Sequence, residues 1–329
     1  MTSDPSVSMV IPTRNRPDHV VTLLGATSRQ TRPPNEVIII DASDEPRSAA
    51  ELARRFPDLP ITVEPHYPSV CAQRNRGIAL AAGDWVFLCD DDIDPPTDYI
   101  RGLLDHAALH PDEGAITGLV RQPGAAAGPR GLRIPRATEV LVAFLQQTSI
   151  WADEGLMRSN GLLAPIRAWY RRRGNTWTLA GWPLMTQVED DMIRTTVYHL
   201  GAALVRREWL VSSPYDLLLD AHGMGDHYGV ALGFPADLPI TILTTLSVRH
   251  RRAEGNRIAE LEGKYKRTLA LHYFMRRSSK FSLWNEAWLL WSLSLQALFS
   301  ALRGRFRLAW MSTRAAGAIL TGRNRLLRE

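Results

Sequence analysis

Cysteine is scarce in this chain: 329 residues contain only Cys71 and Cys89. Two thiols cannot build the disulfide framework of a small secreted domain, and they offer no Cys-based zinc spacing. A reducing, cytosolic setting is therefore expected. The opening stretch, Met1 to Ser8, is short, polar and acidic. It lacks the basic-then-apolar pattern of a secretory leader, so none is expected. The uncharged stretch Ala287–Leu302 is too short to predict a membrane span, which needs about 20 residues. No internal repeat and no low-complexity segment is evident, which excludes solenoid and fibrous classes.

What is present is ordinary globular material. Hydrophobic residues make up 45% and charged residues 22%, enough for one large domain or two modest ones. The net charge of +5 hides an asymmetry. Lys264 to Glu329 carries 13 Lys/Arg against two acids, a balance of +11. The rest carries 26 basic and 32 acidic residues, a balance of −6. A basic tail on an acidic body predicts an anionic partner for the tail, a membrane surface or nucleic acid. No nucleic-acid reading motif is found, which favours the membrane.

The first third alternates strand and helix patterns. Strands are predicted at Val7–Ile11 (closed by Pro12), Glu36–Ile40, Ile61–Val63, Trp85–Cys89 and Ala115–Val120. Helices are predicted from Pro17 to about Arg29 and over Glu51–Phe56, Val70–Ala82 and Asp98–His110. This βαβα order predicts a mostly parallel sheet with helices on both faces. The pattern fades from Arg121 to about Arg173, around the loop Gly124–Gly131. It returns as a strand at Val197–Val205, a short helix at Arg206–Val211 and a β-rich stretch at Leu238–Val248. After about Ala253 the character is helical. Over Trp284–Leu302, Trp284, Trp288, Trp291, Leu295, Leu298, Phe299 and Leu302 recur at helical spacing, opposite Asn285, Ser292, Gln296 and Arg303. A second tail helix is predicted over Phe306–Leu320.

Chemistry concentrates at Asp90-Asp91-Asp92, directly after the apolar run Trp85–Cys89. Adjacent carboxylates at a strand end repel one another unless a cation compensates. Oxygen ligands there suit Mg²⁺ or Mn²⁺, commonly shared with a substrate phosphate. The plain alternative is a solvated acidic loop capping the next helix. Glu189-Asp190-Asp191 lacks a preceding apolar strand and reads as such a loop. Cys89 reads as a core residue.

Four features occur in order: Pro12-Thr13-Arg14-Asn15-Arg16-Pro17 after the first strand; Glu36 to Asp44; Arg74-Asn75-Arg76-Gly77 leading through Ala82-Gly83-Asp84 to the triplet; and Gly223 to Leu232. Together they resemble the family 2 glycosyltransferases, strongly over about Ser6 to Asp98 and moderately over Val197–Arg252. The resemblance implies a GT-A fold, Rossmann-like, over residues 1–253. Residues 1–120 would form the nucleotide-binding half and 121–253 the acceptor half, with 254–329 as a basic Trp-rich helical tail. It implies a nucleotide-sugar donor, UDP-linked by preference, with Pro12, Thr13 and Arg16 on the loop around the base and Asp41 accepting from the base. It implies Arg74, Asp90 and Asp91 as donor-binding residues, and Asp92 and Asp90 as metal ligands within a D-x-D signature. His250 would be a further ligand and Asp226 the general base, with His227 the base if the registration slips by one. Asp41 could instead be a turn residue, Arg74 could pair with Asp41 or Asp84, Asp226 could cap a helix, and His250 could be a surface histidine.

No Gln-x-x-Arg-Trp sequence occurs. In the family that motif accompanies processive polymerisation, so one transfer per encounter is implied. The expected reaction is metal-dependent (Mn²⁺ or Mg²⁺) and inverting. It would deliver one sugar to a saccharide or lipid-linked saccharide acceptor, in cell-envelope or extracellular polysaccharide synthesis. The Trp-rich tail would sit peripherally on the cytoplasmic face of an anionic membrane, or pack on the body or another subunit. A sugar nucleotidyltransferase is a rival, although Pro12–Pro17 lacks the glycines its phosphate loop would want. A catalytically inactive GT-A binding module is another.

Overall fold

The computed structural model describes residues 5–122, 135–152, 161–219, 222–251 and 258–328. In chain order the elements are β1 (Val7–Thr13), α1 (Pro17–Thr27), β2 (Glu36–Asp41), α2 (Ala49–Arg55), β3 (Ile61–Pro65), α3 (Val70–Leu80), β4 (Trp85–Cys89), β5 (Ile93–Asp94), α4 (Tyr99–Leu109) and β6 (Ala115–Arg121). Then follow α5 (Ala137–Gln146), β7 (Ile150–Trp151), α6 (Ala164–Arg173), β8 (Leu184–Met185), β9 (Met192–Thr195), β10 (Ala202–Arg206), α7 (Arg207–Ser212), α8 (Asp226–Leu232), β11 (Ile240–His250), α9 (Glu260–Arg277), α10 (Leu283–Leu302) and α11 (Phe306–Leu320). The chain forms two compact units, Met1–Ala125 with Tyr198–Arg257, and Ala126–Val197 with Ile258–Glu329.

In the first unit the strands run in the order β3-β2-β1-β4-β10-β6-β11-β5. The β3-β2-β1-β4 half is parallel throughout. The apolar runs explain it: β1, β2 and β4 are buried almost along their whole length, as strands covered on both faces must be. Strand β10 breaks the pattern, lying antiparallel between β4 and β6. The expected strand at Val197–Val205 begins only at Ala202.

Pro12 does not close β1, which continues to Thr13. Proline cannot donate to a ladder. Val10 is the last β1 residue paired with β4, while pairing with β2 runs on to Thr13. The Thr13 carbonyl accepts from Ala42 N on the β2 side, so by alternation Pro12 faces the β4 side, where the ladder has already ended. The missing N–H therefore costs no sheet hydrogen bond.

The second unit contains what the faded pattern concealed. β7 and β8 are two residues each and pair in parallel, too short to leave a periodic trace. Val140, Ile150, Ala152, Ile166, Tyr170 and Leu184 form a core cluster there. Glu189-Asp190-Asp191 is an exposed tight turn, with Glu189 and Met192 exchanging backbone hydrogen bonds of 2.8 and 2.7 Å across Asp190 and Asp191. Both of those aspartates have positive φ. The loop Gly124–Gly131 and Arg252 lie outside the described residues.

Helix α10 shows which of its faces turns inward. Leu289, Ser292, Leu293, Gln296 and Ser300 are its buried residues. Gln296 Nε2 donates to Ser292 Oγ at 3.0 Å, so this buried polar pair is satisfied internally. Trp284, Trp291, Leu298 and Leu302, from the aromatic stripe, are exposed.

A tyrosine locks the first unit. Tyr99 is fully buried; its hydroxyl donates to Ala202 O at 2.8 Å and accepts from Gly118 N at 2.7 Å, tying α4 to β10 and β6. Tyr99→Phe takes this partner from Gly118 N and leaves Ala202 O with the Thr117 hydroxyl at 3.1 Å, and is expected to cost about 1–3 kcal/mol. The check is a lower urea midpoint at unchanged slope.

Candidate active site

The site grows from the carboxyl ends of β1, β2 and β4, where open parallel sheets present ligand-binding loops. Thr13 ends β1 and is buried; its hydroxyl donates to Asp91 Oδ2 at 2.8 Å. Arg16, just before α1, donates to Asp91 Oδ1 at 3.0 Å. Asp91 thus turns into the first loop. Burial pushes its carboxyl above the usual range, with Arg16 and the Thr13 hydroxyl opposing. Asn15, at φ 54, bonds Ser43 and Asp44 and joins this loop to the one after β2.

Asp41 closes β2. It is buried and accepts from Ser43 N at 2.8 Å, the geometry of an Asx turn. It also lines a cleft with Thr13, Val20, Ile39 and Arg47. The cleft therefore has an apolar wall and a carboxylate at one edge. Gln73 on α3 donates to Thr13 O at 2.8 Å and to Ile40 O at 2.7 Å, holding the ends of β1 and β2 together.

Arg74 is the centre of the charge network. Only 4% exposed, it donates to Asp90 Oδ1 at 2.7 Å and to Asp226 Oδ2. Its guanidinium lies 5.1 Å from the centre of the Tyr215 ring. It meets neither Asp41 nor Asp84: the Asp84 carboxylate accepts from Ser6. Burial opposes the Arg74 charge, but Asp90 and Asp226 outweigh it and raise its pKa. Burial likewise pushes Asp90 up, yet Arg74, with His199 beside it, holds that carboxyl well below the usual range.

Asp92 pairs with His250, Nε2 to Oδ1, at 3.0 Å. The pairing follows from β11 running beside β5, where His250 opposes Ile93 and Arg249 opposes Asp94. Gln122 Nε2 lies 3.0 Å from His250 Nδ1. Arg251 bonds onward, its N to Asp92 O at 2.8 Å and its guanidinium to Asp94 at 3.0 Å.

Asp226 opens α8 after Gly225, which has φ 101 and suits a glycine. An acid in a first turn is favoured by the helix dipole. Its Oδ1 accepts from His227 N at 2.7 Å, so both carboxylate oxygens are engaged. The adjacent His227 Nδ1 is buried without a hydrogen-bond partner among the described residues.

Three contributors carried no readable signal. His199 sits 3.4 Å from Asp90 Oδ2, with ring centres 4.9 Å from His227 and 6.0 Å from His250. It precedes β10 with no motif around it. A side chain at Gly201 would collide with the Asp90 carboxylate, so that position must stay bare. Tyr215 is pinned to α3 through its backbone, which exchanges hydrogen bonds of 2.8 and 2.9 Å with the Asn75 side chain. Nothing local in the sequence couples either segment to the triplet.

One electrostatic consequence is measurable. Burial holds the His227 imidazole down to about 4 from 6.5, with Asp226 and Asp90 opposing, and Arg74 and His199 adding to the depression. The folded value lies below the unfolded one, so the unfolded chain binds the extra proton between those limits. Stability therefore rises with pH through that window and is lost as pH falls through it. His227→Asn should flatten the slope, by up to roughly 3 kcal/mol. The measurement is the melting temperature at neutral and mildly acid pH with EDTA present; an identical slope would refute the buried neutral imidazole.

Residues 8–154 match the family model described as Glycosyl transferase family 2. A relative from Bacillus subtilis (strain 168), the uncharacterized glycosyltransferase YwdF, is 42% identical over 89 residues, 26% of this chain and 32% of that relative. The chain thus spans about a third of that relative's length. The S. aureus protein TarS 1-349 in complex with UDP-GlcNAc superposes with TM-score 0.52 at 11% identity, covering 96% of this chain and 92% of that one. The mannosyltransferase PcManGT from Pyrobaculum calidifontis, in complex with GDP-Man and Mn²⁺, superposes with TM-score 0.52 at 15% identity, covering 97% and 88%. These identities speak to the fold alone. The region from residue 8 to 154 belongs to glycosyl transferase family 2, and its architecture is the GT-A fold of these structural neighbours.

Proposed function

We propose that the chain transfers one sugar from a nucleotide-sugar donor to an acceptor hydroxyl, with inversion at the anomeric carbon. The observation that carries this reading is the convergence of Asp90, Asp92, Arg74, Asp226 and His250 at the mouth of β4, close to the loops around the Asp41 cleft. The apolar wall of that cleft, with Asp41 at its edge, suits a planar base that offers an N–H. The neighbours bound to UDP-GlcNAc and to GDP-Man support a nucleotide-sugar donor.

The residue types around the triplet support a divalent cation there. Asp92 and His250 present an oxygen and a nitrogen 3.0 Å apart, Asp90 adds a carboxylate, and the buried His227 Nδ1 lacks a partner among the described residues. Asp92, Asp90 and His250 would hold the ion, Mn²⁺ or Mg²⁺ by this mixed donor set. When bound, it would neutralise charge on a diphosphate leaving group. Arg74 bridges Asp90 and Asp226 and orients both. Asp226 would take the acceptor proton, exchanging one of its present hydrogen bonds for the acceptor hydroxyl. His227, neutral in its buried setting, is the alternative base.

The test is a thermal-shift series with UDP, GDP and dTDP sugars, with and without Mn²⁺. One donor is expected to raise the melting temperature only with the ion, and Asp92→Asn to abolish that dependence. Asp226→Asn should keep donor binding while slowing release of nucleotide from the donor by roughly 10²–10⁴-fold. Absence of any metal-dependent nucleotide stabilisation would sink the reading. Normal turnover in Asp226→Asn, with loss in His227→Asn, would transfer the base role to His227.

The acceptor side is proposed to lie at an anionic membrane surface, in envelope or extracellular glycan synthesis. Among the described residues no helix is long and apolar enough to cross a membrane. In the second unit, however, Trp284, Trp291, Phe306 and Trp310 are exposed, and Arg303, Arg305 and Arg307 are exposed where α10 gives way to α11. Indole rings with flanking guanidinium groups suit the headgroup layer. Co-sedimentation with phosphatidylglycerol vesicles is expected, falling sharply with phosphatidylcholine alone and in Trp284→Ser/Trp310→Ser. Equal recovery in all cases, or self-association of the chain through this face, would discard the membrane.

A further inference from the structure

We propose that His106, His110 and Glu113 form a second metal site, for zinc or another late first-row divalent ion, before the first residue of β6, at the end of the strands opposite the triplet. His106 lies in the last turn of α4, and His110, four positions on, is the residue that caps it. Their rings stack with centres 4.3 Å apart. The backbone then turns back, His110 N to His106 O at 3.0 Å and Glu113 N to His110 O at 3.1 Å. That turn brings Glu113 Oε2 to 2.8 Å from His106 Nε2. One ligand atom from each of the three residues lies within 4.8 Å of the others.

The surroundings favour a built site over an incidental pair. Glu113 is buried and both histidines are half-buried. A His106–Glu113 hydrogen bond alone leaves unexplained why His110, whose ring has no hydrogen bond to any described residue, is held against them. The turn itself is fixed from outside. The Arg206 guanidinium donates to Pro111 O, Arg206 N donates to Gly114 O at 2.8 Å, and the Trp209 ring occupies the space where a Gly114 side chain would stand. The end of α4 carries the negative pole of the helix dipole, which welcomes a cation. Two imidazoles and one carboxylate select zinc, cobalt, nickel or copper over magnesium or calcium, leaving a fourth position for water.

The site is separate from the donor site. Ala115, two residues after Glu113, pairs with Val205, which pairs with Val86 near the start of β4. The triplet lies beyond the far end of β4. The intervening strand separates the two by about 10 Å or more. Bound there, the ion would clamp the end of α4 to the entry of β6.

Zinc titration of the full-length protein by calorimetry tests this, with Co²⁺ absorption as a second probe. Asp92→Asn is expected to keep one zinc equivalent and a zinc-dependent rise in melting temperature of roughly 5 °C. His106→Gln/His110→Gln in the same background should lose that equivalent, with affinity falling by at least roughly 100-fold. Should the double variant fold poorly in EDTA, His110→Gln alone serves, since its ring makes no hydrogen bond to replace. Zinc binding unchanged in the histidine variants, or abolished by Asp92→Asn alone, overturns the proposal.

Discussion

The first unit's chemistry depends on one buried cation between two carboxylates. Arg74 stands 16 residues from Asp90 and 152 from Asp226, and it joins them. Without it, those carboxylates would add to the repulsion already present among Asp90, Asp91 and Asp92. Removing one partner of such a buried network commonly costs about 3–5 kcal/mol, because the remaining charges stay desolvated and uncompensated. Arginine suits the role better than lysine, since its planar fork reaches two carboxylates at once and keeps its proton. The arrangement is set before any ligand arrives, so little reorganisation is needed when charge develops at the strand end.

The three consecutive aspartates are consequently not equivalent. Asp90 faces Arg74 and His199, Asp91 turns back to Thr13 and Arg16, and Asp92 faces His250. Alternation at the end of a strand sends neighbouring side chains in different directions, and each found a partner of opposite character. Electrostatics divides them as well. Asp90 is held ionised by its cationic neighbour, while burial outweighs the ion pair at Asp91.

The second unit shows the limits of reading amphipathicity from residue type. On α10 the buried stripe contains Ser292, Gln296 and Ser300 with Leu289 and Leu293, while tryptophans and leucines face outward. Small and hydrogen-bonded polar residues let α10 pack against α11, α9 and α5, with Gln296 finding Ser292 within the same helix. Hydrophobicity alone would turn that helix the other way. The outward aromatic face is what gives this unit a surface chemistry of its own.

Much of the first unit was legible residue by residue. Trp85–Cys89 appears with the predicted bounds, as does Phe306–Leu320 in the second unit, because a continuous apolar run and a long helical period are local signals. The acidic triplet, the Asp41 strand end and the Asp226 helix start were legible for the same reason. Chain segments far apart in sequence had to be folded before the rest existed. His250 reaches Asp92 only because β11 runs beside β5, and His199 and Gly201 reach Asp90 only because β10 inserts antiparallel next to β4. Local patterns determine which elements form, since propensity and periodicity act over neighbouring residues. Pairing across the sheet decides which charges meet, since contacts between strands carry no mark in the sequence of either one.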